Sequence, residues 1–192
     1  MNSATIDQSP PLRSLPKAER HRIRINGEEV IDLDFASMFP RLAFLKLGMM
    51  PPSGDLYAVP GLEDPKYRDG VKGAMNTLFF ADRPKARLPS EFRKQLPQGW
   101  TLARVRTAIL SRHPDLEPAF ERGLGLELMF IESTIMVKVL IRLIGEGVVA
   151  LPMHDGLMAP ASKRDEVRAA MEDVAEEVVG YRLPTSEKAL KH

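Results

Sequence analysis

Three groups of residues in this sequence have the types and spacing that chemistry requires. Asp34 stands last but one in the run Val30-Ile31-Asp32-Leu33-Asp34-Phe35, where a carboxylate near the close of an apolar strand is held at the edge of a core. Arg68, Lys72, Asn76 and Phe80 recur every fourth position and lie along one helical stripe. Two cations and an amide above an aromatic ring suit an anionic, planar ligand such as a nucleoside triphosphate. His154-Asp155-Gly156 puts an ionisable pair between the apolar runs Leu151-Pro152-Met153 and Leu157-Met158-Ala159. An unpaired carboxylate buried there is costly, which favours a functional acid over an ordinary turn residue. Each group also has a plainer explanation: a helix-start acid, a solvated helix face and a polar turn.

Charge adds a fourth feature. The 192 residues carry 27 Lys/Arg and 26 Asp/Glu, a formal net charge of +1. The balance is uneven along the chain. Between Arg83 and His113 there are eight cations (Arg83, Lys85, Arg87, Arg93, Lys94, Arg104, Arg106 and Arg112) against the single acid Glu91. From Pro114 onward nine Lys/Arg face fourteen Asp/Glu. A basic stretch of this kind suits a polyanion, because phosphate contacts draw on local charge. The absence of cysteine excludes disulfides, thiolate metal sites and a cysteine nucleophile. No apolar run is long enough to span a membrane. The start MNSATIDQSPPLRS lacks a basic head followed by an apolar stretch, so the expectation is no secretory signal and a cytoplasmic location.

The elements that must position these groups follow from pattern. Residues 1–20, with prolines at 10, 11 and 16, read as a flexible N-terminal arm ahead of a single domain at 21–192. Asn26-Gly27 between two alternating runs predicts a hairpin with strands at about 22–25 and 29–35. Ser37 is placed to cap a helix over 38–47, with Pro40 in its first turn and Gly48 ending it. A Pro/Gly-rich loop at 49–63 precedes a helix at 64–82, and a basic irregular stretch follows. Helices are expected at 101–112, 115–122 and 124–145, the last apolar nearly all round and so running through the core. Val148–Met153 and Leu157–Ala159 read as paired strands. Ser162 with Asp165 resembles a capping box opening a helix to about 179.

In this order, strand–Asp–helix, cationic helix, core helix and His-Asp hairpin, the chain resembles the palm-and-fingers core of template-directed nucleic-acid polymerases. Asp34-Phe-Ala-Ser-Met-Phe-Pro40 is similar to motif A of family B DNA polymerases, and Asp34 also fits the family A version. Arg68, Lys72, Asn76 and Thr77 are similar to motif B, with the Arg–Lys spacing of family A and the Lys-x₃-Asn-small pattern of family B. His154-Asp155 is similar to motif C of family A and of single-subunit phage-type RNA polymerases. The resemblance spans about residues 22–160 and implies an α+β fold with a palm-like antiparallel sheet, into which a fingers-like segment at 64–122 is inserted.

It also implies the chemistry. Attack of a 3′-hydroxyl on an α-phosphate develops charge on the entering and leaving oxygens, which two Mg²⁺ (or Mn²⁺) ions about 4 Å apart stabilise. Asp34 and Asp155 would be the metal ligands and, with Lys72, the catalytic residues. Arg68 and Lys72 would hold the β- and γ-phosphates, with Asn76, Phe80 and His154 also on the substrate side. Phe39, five positions after Asp34, stands where family B enzymes carry the aromatic that collides with a ribose 2′-hydroxyl, which favours deoxynucleotides. Arg83, Lys85, Arg87, Arg93, Lys94, Arg104 and Arg106 would contact primer-template phosphates.

The sequence departs from the pattern at three points. Gly156 stands where family A has Glu, Phe79-Phe80-Ala81 replaces the Tyr-Gly that ends motif B, and 33 residues precede Asp34, too few for a thumb. By the same measure the expectation is a relative without an exonuclease. The expectation is a miniature enzyme of a phage, plasmid or other mobile element, with a protein partner supplying thumb function. Two alternatives remain: a palm-like module that only binds nucleic acid or a partner, and a metal-dependent phosphohydrolase using His113, His154-Asp155 and Asp165 or Asp173.

Overall fold

The computed structural model describes residues 19, 22–153 and 155–189. Asn26 and Gly27 take φ of 54° and 81°, the positive values that a two-residue hairpin turn demands. They join β1 (Arg24–Ile25) to β2 (Glu28–Phe35). Alternation along β2 divides its side chains: Ile31, Leu33 and Phe35 enter the main core, whereas Val30 joins a smaller cluster with Ile25 and Met158. Asp32 and Asp34 share the face of Val30.

β2 is the centre of an antiparallel sheet. On one side it pairs with β4 (Gly156–Pro160), whose outer neighbour is β3 (Leu151–Met153). On the other side it pairs first with β1 and then with β5 (Thr185–Lys188). The helices are α1 (Met38–Lys46), α2 (Arg68–Phe80), α3 (Ser90–Arg93), α4 (Leu102–Arg112), α5 (Gly125–Gly145) and α6 (Arg164–Val179). The fold is α+β, a small antiparallel sheet with several helices. One buried cluster takes Leu33 and Leu157 from the sheet, Phe79 and Ile109 from the 64–122 segment, and Val139 and Met171 from the later helices.

Several elements differ from the sequence reading. Ser37 adopts φ 51° and gives its hydroxyl to Asp55 at 3.0 Å, so it does not cap α1 through its side chain. The expected helix at 115–122 is a 3₁₀ segment at Pro114–Ala119; Pro118 has no N–H to continue an α-helix. Gly147 takes φ 72°, and the Val148 N–H bonds back to the Leu143 carbonyl at 2.8 Å, which consumes residues expected in β3. Ser162 and Asp165 form no capping box: α6 starts after a 3₁₀ turn, with no side-chain cap. α5 is one-sided. Leu128, Ile135, Val139 and Leu143 are buried, while Phe130, Ile141 and Ile144 are exposed. The short α3 and the strand β5 were not anticipated. Apart from residue 19, the arm at 1–20 lies outside the described residues. Among the described residues no helix is long and apolar enough to cross a membrane.

Candidate active site

The β2–β4 register brings together two acids that are 121 positions apart in sequence. Asp34 pairs with Gly156, and the Phe35 N–H donates to the Asp155 carbonyl at 3.2 Å. Gly156 permits this approach, since a Cβ there would meet the Leu33 carbonyl oxygen at 2.4 Å and Asp34 Oδ1 at 3.1 Å. Asp34 is 7% exposed. Burial, reinforced by the neighbouring Asp155 carboxylate, pushes its pKa up to about 7. Its Oδ2 is ion-paired with Lys188, whereas Oδ1 is buried with no hydrogen-bond partner.

The first turns of α2 supply the cations facing these acids. The spacing of Arg68 and Lys72 sets both on one side of the helix. Lys72 Nζ lies 3.8 Å from Asp155 Oδ2. Arg68 Nε donates to Asp55 Oδ2 at 2.8 Å, and its guanidinium lies 4.8 Å from the centre of the Tyr57 ring. Asp55 also accepts from the Ser37 hydroxyl and, at 3.2 Å, from the Tyr57 N–H. Burial pushes the Asp55 carboxyl upward, but the Arg68 hydrogen bond and the Tyr57 N–H hold it below the usual range. Asp34, Asp155, Asp55, Arg68, Lys72 and Lys188 line one cleft of about 370 Å³.

Other candidate residues lie elsewhere. Asn76, one turn beyond Lys72, does not line the cleft, and its side-chain oxygen is buried and unpartnered. Phe39 and Phe80 pack on each other, ring centres 6.0 Å apart, also outside the lining. His154 lies outside the described residues. In the basic stretch, Arg83, Lys85, Arg87, Arg93, Lys94 and Arg104 are exposed. Arg104 stacks 4.4 Å over Trp100, while Arg106 is half-buried and paired with Glu117 at 3.3 Å. His113 is buried, with Nε2 3.1 Å from the Leu56 carbonyl oxygen and its ring edge-on to Phe44. That is a packed core histidine, which removes it from the phosphohydrolase set.

Three charged residues near the site had escaped notice. Asp55 sits in the proline-rich loop, where nothing local marks it. Lys188 arrives through β5, a strand with no apolar alternation. Glu132 did leave a signal, because its helical neighbours Leu128, Ile135 and Met136 are all apolar and prove buried. Burial first, then Asp155 and Asp34, raise the Glu132 pKa to about 7, with Lys72 opposing.

Two hard carboxylate donors beside each other, one with a buried oxygen that no N–H or hydroxyl reaches, fit a divalent cation of the Mg²⁺ kind. Among the described residues no group of three or more His, Asp or Glu is placed to hold a metal by itself. Such a cation would take its remaining ligands from substrate and water, as Mg²⁺ usually does. Compared with known proteins, the chain matches no family model and no curated protein.

Proposed function

We propose that this chain is the palm-and-fingers-like core of a template-directed nucleotidyltransferase that prefers deoxynucleotides. The observation that carries the reading is the meeting of Asp34 and Asp155 at adjoining strand positions, with Lys72 across the same cleft. Asp34 and Asp155 would hold Mg²⁺ or Mn²⁺. Bound there, the metal would stabilise charge on the phosphate oxygens during phosphoryl transfer. Lys72 faces the acids from α2, where an incoming triphosphate would meet its ammonium, and it is the group positioned to protonate departing pyrophosphate. Arg68, oriented by Asp55 and Tyr57, would add a second contact to the phosphates. Positioning and fixed charge supply most of the catalysis in such reactions, so a small scaffold suffices. Phe39, packed on Phe80 outside the lining but next in sequence to Met38, which does line the cleft, would act as the barrier to a ribose 2′-hydroxyl. The exposed cations from Arg83 to Arg104 would follow primer-template phosphates.

A second reading has its own observation. Every described cation in the cleft already has an acid partner (Lys188 with Asp34, Lys72 with Asp155, Arg68 with Asp55), the internal balance expected of a palm-like module that only binds nucleic acid or a protein. Primer extension separates the two. The assay uses Mg²⁺ or Mn²⁺, dNTPs and then rNTPs, with wild type, Asp34→Asn, Asp155→Asn and Phe39→Ala. The catalytic reading expects extension by wild type, its loss in both Asp variants, and readier ribonucleotide use by Phe39→Ala. Absence of extension by wild type with either sugar, alongside retained DNA binding, selects the binding module.

A further inference from the structure

The last strand of the chain ends in the cleft, and the residue it delivers is a cation. β5 pairs with β2 so that Ser186 stands opposite Asp34 and Lys188 opposite Asp32. Opposed residues share a face, so Lys188 lies on the face of both acids and reaches diagonally to Asp34 Oδ2. Asp34, Asp155 and Asp32 all act on its ammonium and hold the charged form, outweighing the effect of its burial. The start of β5 is firmly fixed: Leu183 is fully buried, Pro184 O accepts from the Ala36 N–H at 2.8 Å, and the Thr185 hydroxyl donates to Glu172 at 2.8 Å. At its far end the Lys188 side chain is half exposed, and the neighbouring Glu187 is tied to α6 by partly exposed ion pairs with Arg164 at 3.0 Å and Arg168 at 3.8 Å, the kind of surface pair that holds weakly.

We propose that Lys188 is a resident cation on Asp34 which a divalent metal ion must displace, so that the end of β5 opens when the site is loaded. This inference rests on reading Asp34 and Asp155 as metal ligands. A divalent cation on the free Oδ1 and the Lys188 ammonium on Oδ2 would share one small carboxylate, and two positive charges held a few ångströms apart at so poorly hydrated a group repel strongly. Without metal, Lys188 offsets part of the repulsion between Asp34 and Asp155 and keeps the two acids close. With metal, that role passes to the ion, and Lys188 is released into solvent, where it becomes available to an anionic substrate.

The test is Mn²⁺ titration of the full chain, free ion being read by electron paramagnetic resonance. Wild type is compared with Lys188→Ala, Lys188→Arg, Asp34→Asn and Asp155→Asn, after circular dichroism confirms that each is folded. Lys188→Ala should bind Mn²⁺ roughly tenfold more tightly, Lys188→Arg should stay near wild type, and both Asp variants should bind weakly. Hydrogen exchange gives an independent readout: Mg²⁺ should speed exchange of the Glu187 and Lys188 amides in wild type but leave Lys188→Ala unchanged. Equal or weaker Mn²⁺ binding by Lys188→Ala, with both Asp variants still impaired, overturns the displacement and leaves the metal site standing. Mn²⁺ binding that no Asp substitution alters overturns the metal site itself, and the displacement with it.

Discussion

The cleft and the basic stretch from Arg83 to Arg104 use positive charge in opposite ways. In the cleft, Lys72, Arg68 and Lys188 each face an acid, and burial, reinforced by neighbouring carboxylates, pushes the pKa of Asp34 and of the nearby Glu132 up to about 7. In the basic stretch, Arg83, Lys85, Arg87, Arg93 and Lys94 stand exposed and make no ion pair with a described acid. Desolvated charges interact at short range and resist salt, whereas exposed ones act over about a Debye length and fade as salt rises. The cleft is therefore suited to holding reacting groups, and the stretch to collecting a polyanion.

The largest expected effect breaks the two apart by kinetics. Lys72→Ala should lower the single-turnover rate of primer extension by about a hundredfold, in the range for loss of a positioned acid, with primer affinity nearly unchanged. Arg83, Lys85 and Arg87 replaced together by Ala should do the reverse, weakening primer binding while the rate at saturation persists. Equal losses in rate and affinity for both variants would erase the distinction.

A second comparison is structural. The cleft depends on one close approach of backbone, at Gly156. Gly156→Ala should cost about 1–3 kcal/mol, as overpacking does, because the atom met by the new Cβ is the Leu33 carbonyl, which belongs to the paired strand. Thermal melting should fall by several degrees, and extension should fall with it as Asp34 and Asp155 separate. Arg87→Ala, at an exposed position, should change stability by less than about 0.5 kcal/mol.

The third concerns pH. Asp34 and Glu132 ionise near 7 when folded, against ordinary values of 3.8 and 4.5. The folded chain therefore holds protons that the unfolded chain releases. The stability this gives is fully present below about pH 4 and is lost as pH rises through 7. Melting temperature should accordingly decline between pH 5 and 8, and Glu132→Gln should flatten that decline and raise the melting temperature at pH 8. The triple Arg83/Lys85/Arg87 variant should keep the wild-type slope.

What could be read in advance follows the same physics. The Asn26-Gly27 hairpin was legible because alternation and turn chemistry are local, whereas the meeting of Asp34 with Asp155 followed only from the resemblance of the motif order to a polymerase palm. β5 was not legible, because Thr185-Ser-Glu-Lys188 carries no apolar alternation and is held by backbone pairing, and so Lys188 went unseen. The side-chain role of Ser37 was misread because its hydroxyl found Asp55, 18 residues away, a choice made by tertiary contact. α5 was expected to be buried all round, since composition alone does not tell a two-sided core helix from one with an exposed apolar face. The seven cations assigned to primer-template phosphates were treated as equals, yet Arg106 is held by Glu117.

That last difference gives the finest test. Arg104 is exposed and lies over the Trp100 ring, a pairing that leaves guanidinium N–H groups free for phosphate. Arg106, two positions on, is half-buried and shares its guanidinium with Glu117. Binding of a short duplex, measured against salt, loses about one unit of log–log slope for each phosphate contact removed. Arg104→Ala should reduce the slope by about one. Arg106→Ala should reduce it by much less, because the cation it removes is already neutralised and turned towards the protein. If the two substitutions flatten the curve equally, Arg106 must leave Glu117 when DNA binds, and the basic stretch would then borrow charge from a paired site as the cleft does.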